Sequence, residues 1–282
     1  MSSPTSDSTD TVLEDSVLED TVRLLFVGDV MGRPGRRALQ RLLPTLIDEH
    51  RLDYVIVNIE NSAGGIGITP DVLNELDALP IDCFSSGNHI WDKREGVPLL
   101  DKEPRLLRPA NYPAGNPGRG LYVGETAAGV KVATINLEGR VFMKNLDDPF
   151  LVADRLLDEL NDDVKIVLVD FHAEATSEKQ ALGLYLDGRV SAVFGTHTHV
   201  PTADERILPD GTAFITDVGM TGPYQGVIGC KFDKVLQRFQ TQRGVHLDVA
   251  KKDVRLAGAV VHVDPATGHA VHLERLLLPM PH

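Results

Sequence analysis

The feature that most constrains this chain is an alternation of short apolar runs with segments of helical period. The run VRLLFVGD (22–29) has the uninterrupted apolar character of a buried parallel strand and stops at Gly-Asp. In the following GRRALQRLLPTLIDEH, residues Ala38, Leu39, Leu42, Leu43, Leu46 and Ile47 recur at three- and four-residue steps, which predicts an amphipathic helix with a kink near Pro44. YVIVNIEN (54–61) reads as a second buried strand. Thr69-Pro70-Asp71 then reads as an N-cap with proline at the first helical position. IDCFSSGNH (81–89) is a third strand running into a polar loop, and further strands are expected at 121–123, 131–136, 165–170, 192–195 and 213–216. Near the end, VRLAGAVVHVD and HAVHLERLLL flank PATG as an antiparallel hairpin would. Early strand–helix–strand units with a late hairpin predict an α/β chain of mixed sheets flanked by helices.

Composition removes several classes of function. A net charge of −13 over 282 residues argues against coating nucleic acid, which needs a basic face. No apolar stretch reaches the roughly 18 residues that span a bilayer. Two cysteines, Cys83 and Cys230, are too few for a disulfide framework, so the expected compartment is the cytoplasm. Residues 1–20 hold six acids and no Lys or Arg, the pattern of a solvated acidic tail, whereas 21–282 has the composition of one domain.

Five of the expected strands end in residues of one chemical kind: Asp29; Glu60 and Asn61; Asn88 and His89; His172; His197 and His199. Ligands of α/β sheets gather outside the carboxyl ends of strands, where residues distant in the chain converge. Carboxylate, amide oxygen and neutral imidazole without thiolate suit manganese, iron or zinc. Seven candidates, Asp29, Glu60, Asn61, Asn88, His172, His197 and His199, exceed what one tetrahedral ion takes and fit two ions, with Glu60 as the shared carboxylate. In GNH (87–89) the glycine is expected to allow a sharp turn that sends Asn88 and His89 into one space. Arg33, Arg36 and Arg37 read as a solvated helix face. Asp92 reads equally as a helix cap or as an orienter of a neighbour, and Cys83 as packing.

GD (28–29), NIEN (58–61), GNH (87–89), FH (171–172) and GTHTH (195–199), in this order, resemble the blocks of the calcineurin-like metallophosphoesterases, and their spelling is similar to the YmdB-like bacterial branch. The resemblance extends from about residue 22 onward. It implies a four-layer α/β/β/α sandwich of two mixed sheets with a dimetal centre between them. It also implies one ion on Asp29, Glu60, Asn61 and His199, the other on Glu60, Asn88, His172 and His197, and His89 as catalytic acid. Two positions depart from the broad superfamily: Met31 stands where an imidazole is usual, and Glu60 with Asn61 where an aspartate is usual. Both changes match the YmdB-like spelling.

Two ions about 3.5–4 Å apart clamp a phosphoryl group for in-line displacement, with a bridging hydroxide as nucleophile and His89 protonating the leaving oxygen. The activity expected is therefore a phosphodiesterase, with cyclic nucleotides of the 2′,3′ or 3′,5′ type implied by the resemblance and iron or manganese as the metals, zinc in reserve. The alternatives are a phosphomonoesterase or nucleotidase on the same ions, and a regulatory protein with an idle metal site. A serine hydrolase built on Ser85 or Ser86 is weaker, because no serine stands in G-x-S-x-G. The expected partners are a small phosphodiester substrate and no membrane or stable nucleic acid, with a homo-oligomer left open.

Overall fold

A computed structural model describes residues 20–281, so the expectation of an acidic tail falls, apart from Asp20, on residues outside the described ones. Twelve strands are described: β1 (Val22–Val27), β2 (Tyr54–Asn58), β3 (Cys83–Ser85), β4 (Leu121–Glu125), β5 (Lys131–Glu138), β6 (Ile166–His172), β7 (Ala192–Thr196), β8 (Arg206–Ile207), β9 (Ala213–Ile215), β10 (Gly222–Pro223), β11 (Val254–Val263) and β12 (Ala270–Pro279). The helices are α1 (Gly32–His50), α2 (Pro70–Asp77), α3 (Leu99–Lys102), α4 (Pro149–Asp158), α5 (Thr176–Tyr185) and α6 (Phe232–Thr241), with a 3₁₀ turn at Asn88–Trp91.

These strands make two six-stranded sheets. The first is ordered β10-β11-β1-β2-β3, with β12 also paired to β11, and the second β4-β5-β6-β7-β9-β8. Within them β1, β2 and β3 run parallel, as do β5, β6, β7 and β9, while the expected hairpin β11–β12 is antiparallel. Strand alternation builds the layers. On β1, Leu24 and Phe26 turn toward the second sheet and meet Ile166, Leu168, Ala192 and Phe194, while Leu25 and Val27 pack outward among Leu39, Leu43 and Leu46 of α1. The second sheet buries its far face, including Val167, Val169 and Phe171, under Val152 and Leu156 of α4 and Leu182 of α5. The result is helices, sheet, sheet, helices: a four-layer α/β/β/α sandwich.

Local chemistry sets the element ends. The Thr69 hydroxyl accepts the Val72 N–H at 3.3 Å and Pro70 opens α2, as the sequence predicts. α1 runs as one 19-residue helix with Pro44 inside it. Pro44 lies on the exposed face of the helix. Gly32 takes φ +58° to turn the chain from β1 into that helix. Met31 is buried with Met220, Cys230 and Val235, so the residue at the departing position is part of the core. Among the described residues no helix is long and apolar enough to cross a membrane.

Candidate metal centre

The parallel strands of both sheets bring their carboxyl ends to one place. Asp29 follows β1, Glu60 and Asn61 follow β2, and Asn88 and His89 follow β3; His172 is the last residue of β6, and His197 and His199 follow β7. Six of them join through direct contacts, and Asn61 and His199 form a pair of their own. His172 Nε2 lies 3.1 Å from Glu60 Oε1, 3.1 Å from Asn88 Oδ1 and 3.0 Å from His197 Nδ1. His199 Nε2 lies 3.3 Å from Asn61 Oδ1. Asp29 Oδ2 accepts the backbone N–H of His197 at 3.2 Å, and Glu60 Oε2 accepts that of His89 at 2.9 Å.

The neighbours of each imidazole decide which nitrogen faces inward. Thr196 Oγ1 donates to Asp170 Oδ1 at 2.7 Å, so it accepts from His172 Nδ1–H at 2.9 Å and leaves the Nε2 lone pair pointing into the site. Asp170 is held in turn by Asn58 Nδ2 at 2.9 Å. His199 Nδ1 donates to the Ile228 carbonyl at 3.0 Å, which again frees Nε2. His197 is set the other way: Nε2 faces Glu174 Oε2 at 3.0 Å, and Nδ1 is the inward atom. Asn61 spends its Nδ2 on the Gly65 carbonyl at 3.1 Å and presents Oδ1.

Around His172 Nε2, then, stand a carboxylate oxygen, an amide oxygen and a second imidazole nitrogen, all lone-pair atoms. Glu60, His172 and His197 each offer a ligand atom within 4.8 Å of the others. Buried polar atoms are nearly always hydrogen-bonded, yet Asp29 Oδ1 is buried with no hydrogen-bond partner. A set of converging acceptors without donors fits a cation, and the mixed oxygen and imidazole donors fit a divalent one.

Electrostatics points the same way. Burial disfavours charge on His172, but Glu60, Asp29 and Asp170 outweigh it and hold the imidazole up at about 10. Burial also acts against the Glu60 carboxylate, yet His172 keeps it below the usual range. Burial lifts Asp29 above the ordinary carboxylate value and Asp170 to about 7. The cluster thus stabilises a positive charge, and a metal ion competes for the position of that proton. His197 is pushed down to about 3 by burial and then by His172, which keeps it neutral as a ligand must be.

The corner carrying His197 and His199 is strained, with φ of +96° and +63° at two residues that are not glycine. Its anchor is Asp217, which accepts Thr198 N–H at 3.1 Å and Thr198 O–H at 2.8 Å. Lys179, 1% exposed, meets the same carboxylate at 2.7 Å. Removing one member of a buried ion pair costs about 3–5 kcal/mol. Lys179→Ala is therefore expected to lower unfolding stability by that amount in urea titration, while Lys179→Ala combined with Asp217→Asn recovers part of it.

Some expectations are corrected in detail. Gly87 has φ −155° and ψ −147°, outside the left-handed region, and its closest constraint is proximity: a Cβ there would lie 2.1 Å from the His172 ring. Arg36 is no solvated residue, because it donates to Glu75 Oε2 at 2.8 Å and to the Ser62 carbonyl at 2.6 Å, pinning the loop that presents Asn61. Asp92 orients a neighbour: its Oδ2 accepts from His89 Nδ1 at 2.7 Å, so His89 Nε2 is the free ring nitrogen. Ser86 donates to the Leu107 carbonyl at 2.7 Å, which commits it to the backbone and removes it as a nucleophile. Thr196, Asn58 and the Ile228 carbonyl carry no metal-type signal in sequence and were not singled out there. Glu138, the register partner of His172 on β5, was also missed; it is fully buried, its oxygens lack partners, and burial lifts it to about 7.

Comparison with known proteins finds relatives over most of the chain. A family model described as YmdB-like protein matches residues 25–276. A 2′,3′-cyclic-nucleotide 2′-phosphodiesterase of Bacillus subtilis is 49% identical over 258 residues, covering 91% of this chain and 97% of that protein. A hypothetical protein from Thermus thermophilus superposes with TM-score 0.87 at 44% identity, covering 92% of this chain and 100% of the other. A novel phosphatase from Mycoplasma pneumoniae superposes at 0.86 and 34% identity, covering 93% and 95%.

Proposed function

The chain belongs to the YmdB-like family, a branch of the metallophosphoesterases, and from that premise we propose that it is a metal-dependent phosphodiesterase acting on small phosphodiesters of the cyclic-nucleotide class. The observation that carries the reading is the convergence of unprotonated ligand atoms on His172 Nε2. The name of the Bacillus relative supports the substrate class, a 2′,3′-cyclic nucleotide. We assign one cation to Asp29, Glu60, Asn61 and His199 and a second to Glu60, Asn88, His172 and His197, with iron or manganese as the metals and zinc as the alternative. Cations so held polarise phosphoryl oxygens and lower the pKa of water toward neutrality.

The chain supplies the rest of the chemistry. His89 Nε2 faces away from Asp92 and delivers a proton to the departing oxygen as its bond to phosphorus breaks. Asp92, accepting from Nδ1, fixes the orientation of the ring. The hydrogen bond from His89 N–H to Glu60 ties the acid to the carboxylate shared by the two assigned sites. Water adds to phosphorus and the ribose oxygen leaves as a hydroxyl, so a cyclic diester opens to a monoester. The cytoplasm as compartment belongs to the same reading, supported by two buried cysteines that are free thiols.

Metal analysis of the purified protein, with assays of 2′,3′-cyclic AMP and the corresponding mononucleotides in the presence and absence of chelator, tests this. We expect about two ions per chain, turnover abolished by chelator and restored by metal, and the cyclic diester preferred. Chelator-insensitive turnover would overturn the metal assignment. Preference for the mononucleotides would make the protein a monoesterase, and metal without any turnover would make it a binding protein.

A further inference from the structure

Phe142 is an exposed aromatic side chain on a strained backbone, and the packing of the core does not account for it. Its exposure is 88%, and its φ is +64°. Met143 N–H bonds to the Arg140 carbonyl at 3.2 Å, which closes a turn with Phe142 at its third residue. Left-handed φ at that place is ordinarily left to glycine or asparagine. The turn is nonetheless held fast. The Glu178 carboxylate, itself 9% exposed, accepts Arg140 N–H at 2.9 Å and Val141 N–H at 3.1 Å. At its two ends, buried Asn111 donates to the carbonyls of Glu138, at 2.7 Å, and Asp147, at 3.1 Å.

The turn also lies beside the metal centre. Glu138, which precedes it, is the register partner of His172, and Gly139 N–H donates to the His172 carbonyl at 2.9 Å. On its far side Lys144 stands 5.5 Å above the ring of Tyr112, which packs at 5.1 Å against Trp91. Trp91 shares the 3₁₀ turn of Asn88 and His89. The Phe142 turn therefore links the strand of His172, through Gly139, to the Lys144, Tyr112 and Trp91 contacts that lead to the turn of His89.

Resting on the phosphodiesterase reading above, we propose that Phe142 is a specificity-determining residue that stacks on the nucleobase of a substrate whose phosphodiester occupies the metal centre, with the Lys144 ammonium bordering the same subsite. A planar ring on a turn held by backbone hydrogen bonds presents a π-face, and every base offers a face to it. The subsite accordingly favours a nucleotide over a base-free sugar phosphate without choosing sharply among bases.

The test compares 2′,3′-cyclic AMP with ribose 2′,3′-cyclic phosphate, which lacks the base, for the wild type and for Phe142→Asn and Phe142→Trp. Asparagine accepts the left-handed φ and removes the ring, so the turn is preserved while stacking is lost. Stacking on one base is worth roughly tenfold to a hundredfold in affinity. We expect the kcat/KM ratio of nucleotide to base-free substrate to fall by about that factor in Phe142→Asn, through KM, and to be kept by Phe142→Trp. An unchanged ratio, whether both substrates fall together or neither falls, overturns the proposal. If the wild type hydrolyses neither substrate, the phosphodiesterase reading itself fails, which separates the two outcomes.

Discussion

Glu60→Ala is expected to lose bound metal and with it all measurable turnover. Glu60 is 1% exposed, its Oε1 lies 3.1 Å from His172 Nε2, and its Oε2 holds the backbone of His89. It is thus the residue assigned to both cations and also the support of the acid. Loss of a mere supporting partner in a metal site costs roughly 10–100-fold, so loss of a shared ligand is expected to exceed that range in kcat. Metal analysis after desalting reads the first part of the effect and steady-state assay the second. Two ions retained per chain in a folded Glu60→Ala protein would remove Glu60 from its assigned role. Glu60→Gln sharpens the test, because the amide keeps the shape and loses the charge.

His89→Ala should behave in the opposite way, with metal retained and turnover lost. None of the assigned ligand atoms comes from the His89 side chain, whereas its Nε2 is free and its Nδ1 is fixed by Asp92 at 2.7 Å. Removing a general acid costs about 10²–10⁴-fold in rate. The loss should shrink for a diester with an acidic phenol as leaving group, such as a nitrophenyl ester, because such an oxygen departs without a proton. An equal loss on both kinds of ester would assign His89 to binding or structure instead. Asp92→Asn, which keeps the imidazole and weakens its orientation, is expected to fall between the wild type and His89→Ala.

These residues were legible in sequence because parallel strands end abruptly. The apolar runs of β1, β2 and β6 give way within three residues to Asp29, Glu60 and His172, so each strand announces both its burial and the chemistry at its tip. What supports those tips was not legible. Thr196 acts on His172 through a hydrogen bond from the neighbouring strand, and no local pattern marks it. Arg36 has the spacing of an exposed helical residue and reaches Glu75 only because α2 packs beside α1. The Ile228 carbonyl that orients His199 is a backbone atom, invisible to any reading of residue type. Gly87 was visible as a glycine, but the reason for it, the ring of His172 against its Cα, exists only in three dimensions. Phe142 was hidden for a related reason: its role depends on a backbone angle that sequence gives no cause to expect at phenylalanine.

The division of the site between the two sheets has one further consequence. Asp29, Glu60, Asn61 and Asn88 ride on one sheet, whereas His172, His197 and His199 ride on the other, and the apolar seam of Phe26, Ile56, Leu168 and Phe194 lies between them. Neither half alone assembles the pocket, so capture of a cation and closure of that seam are a single linked equilibrium. On the assignment proposed above, an ion held there is a rivet through the middle of the sandwich, and the affinity with which it is held becomes part of the cohesion of the whole.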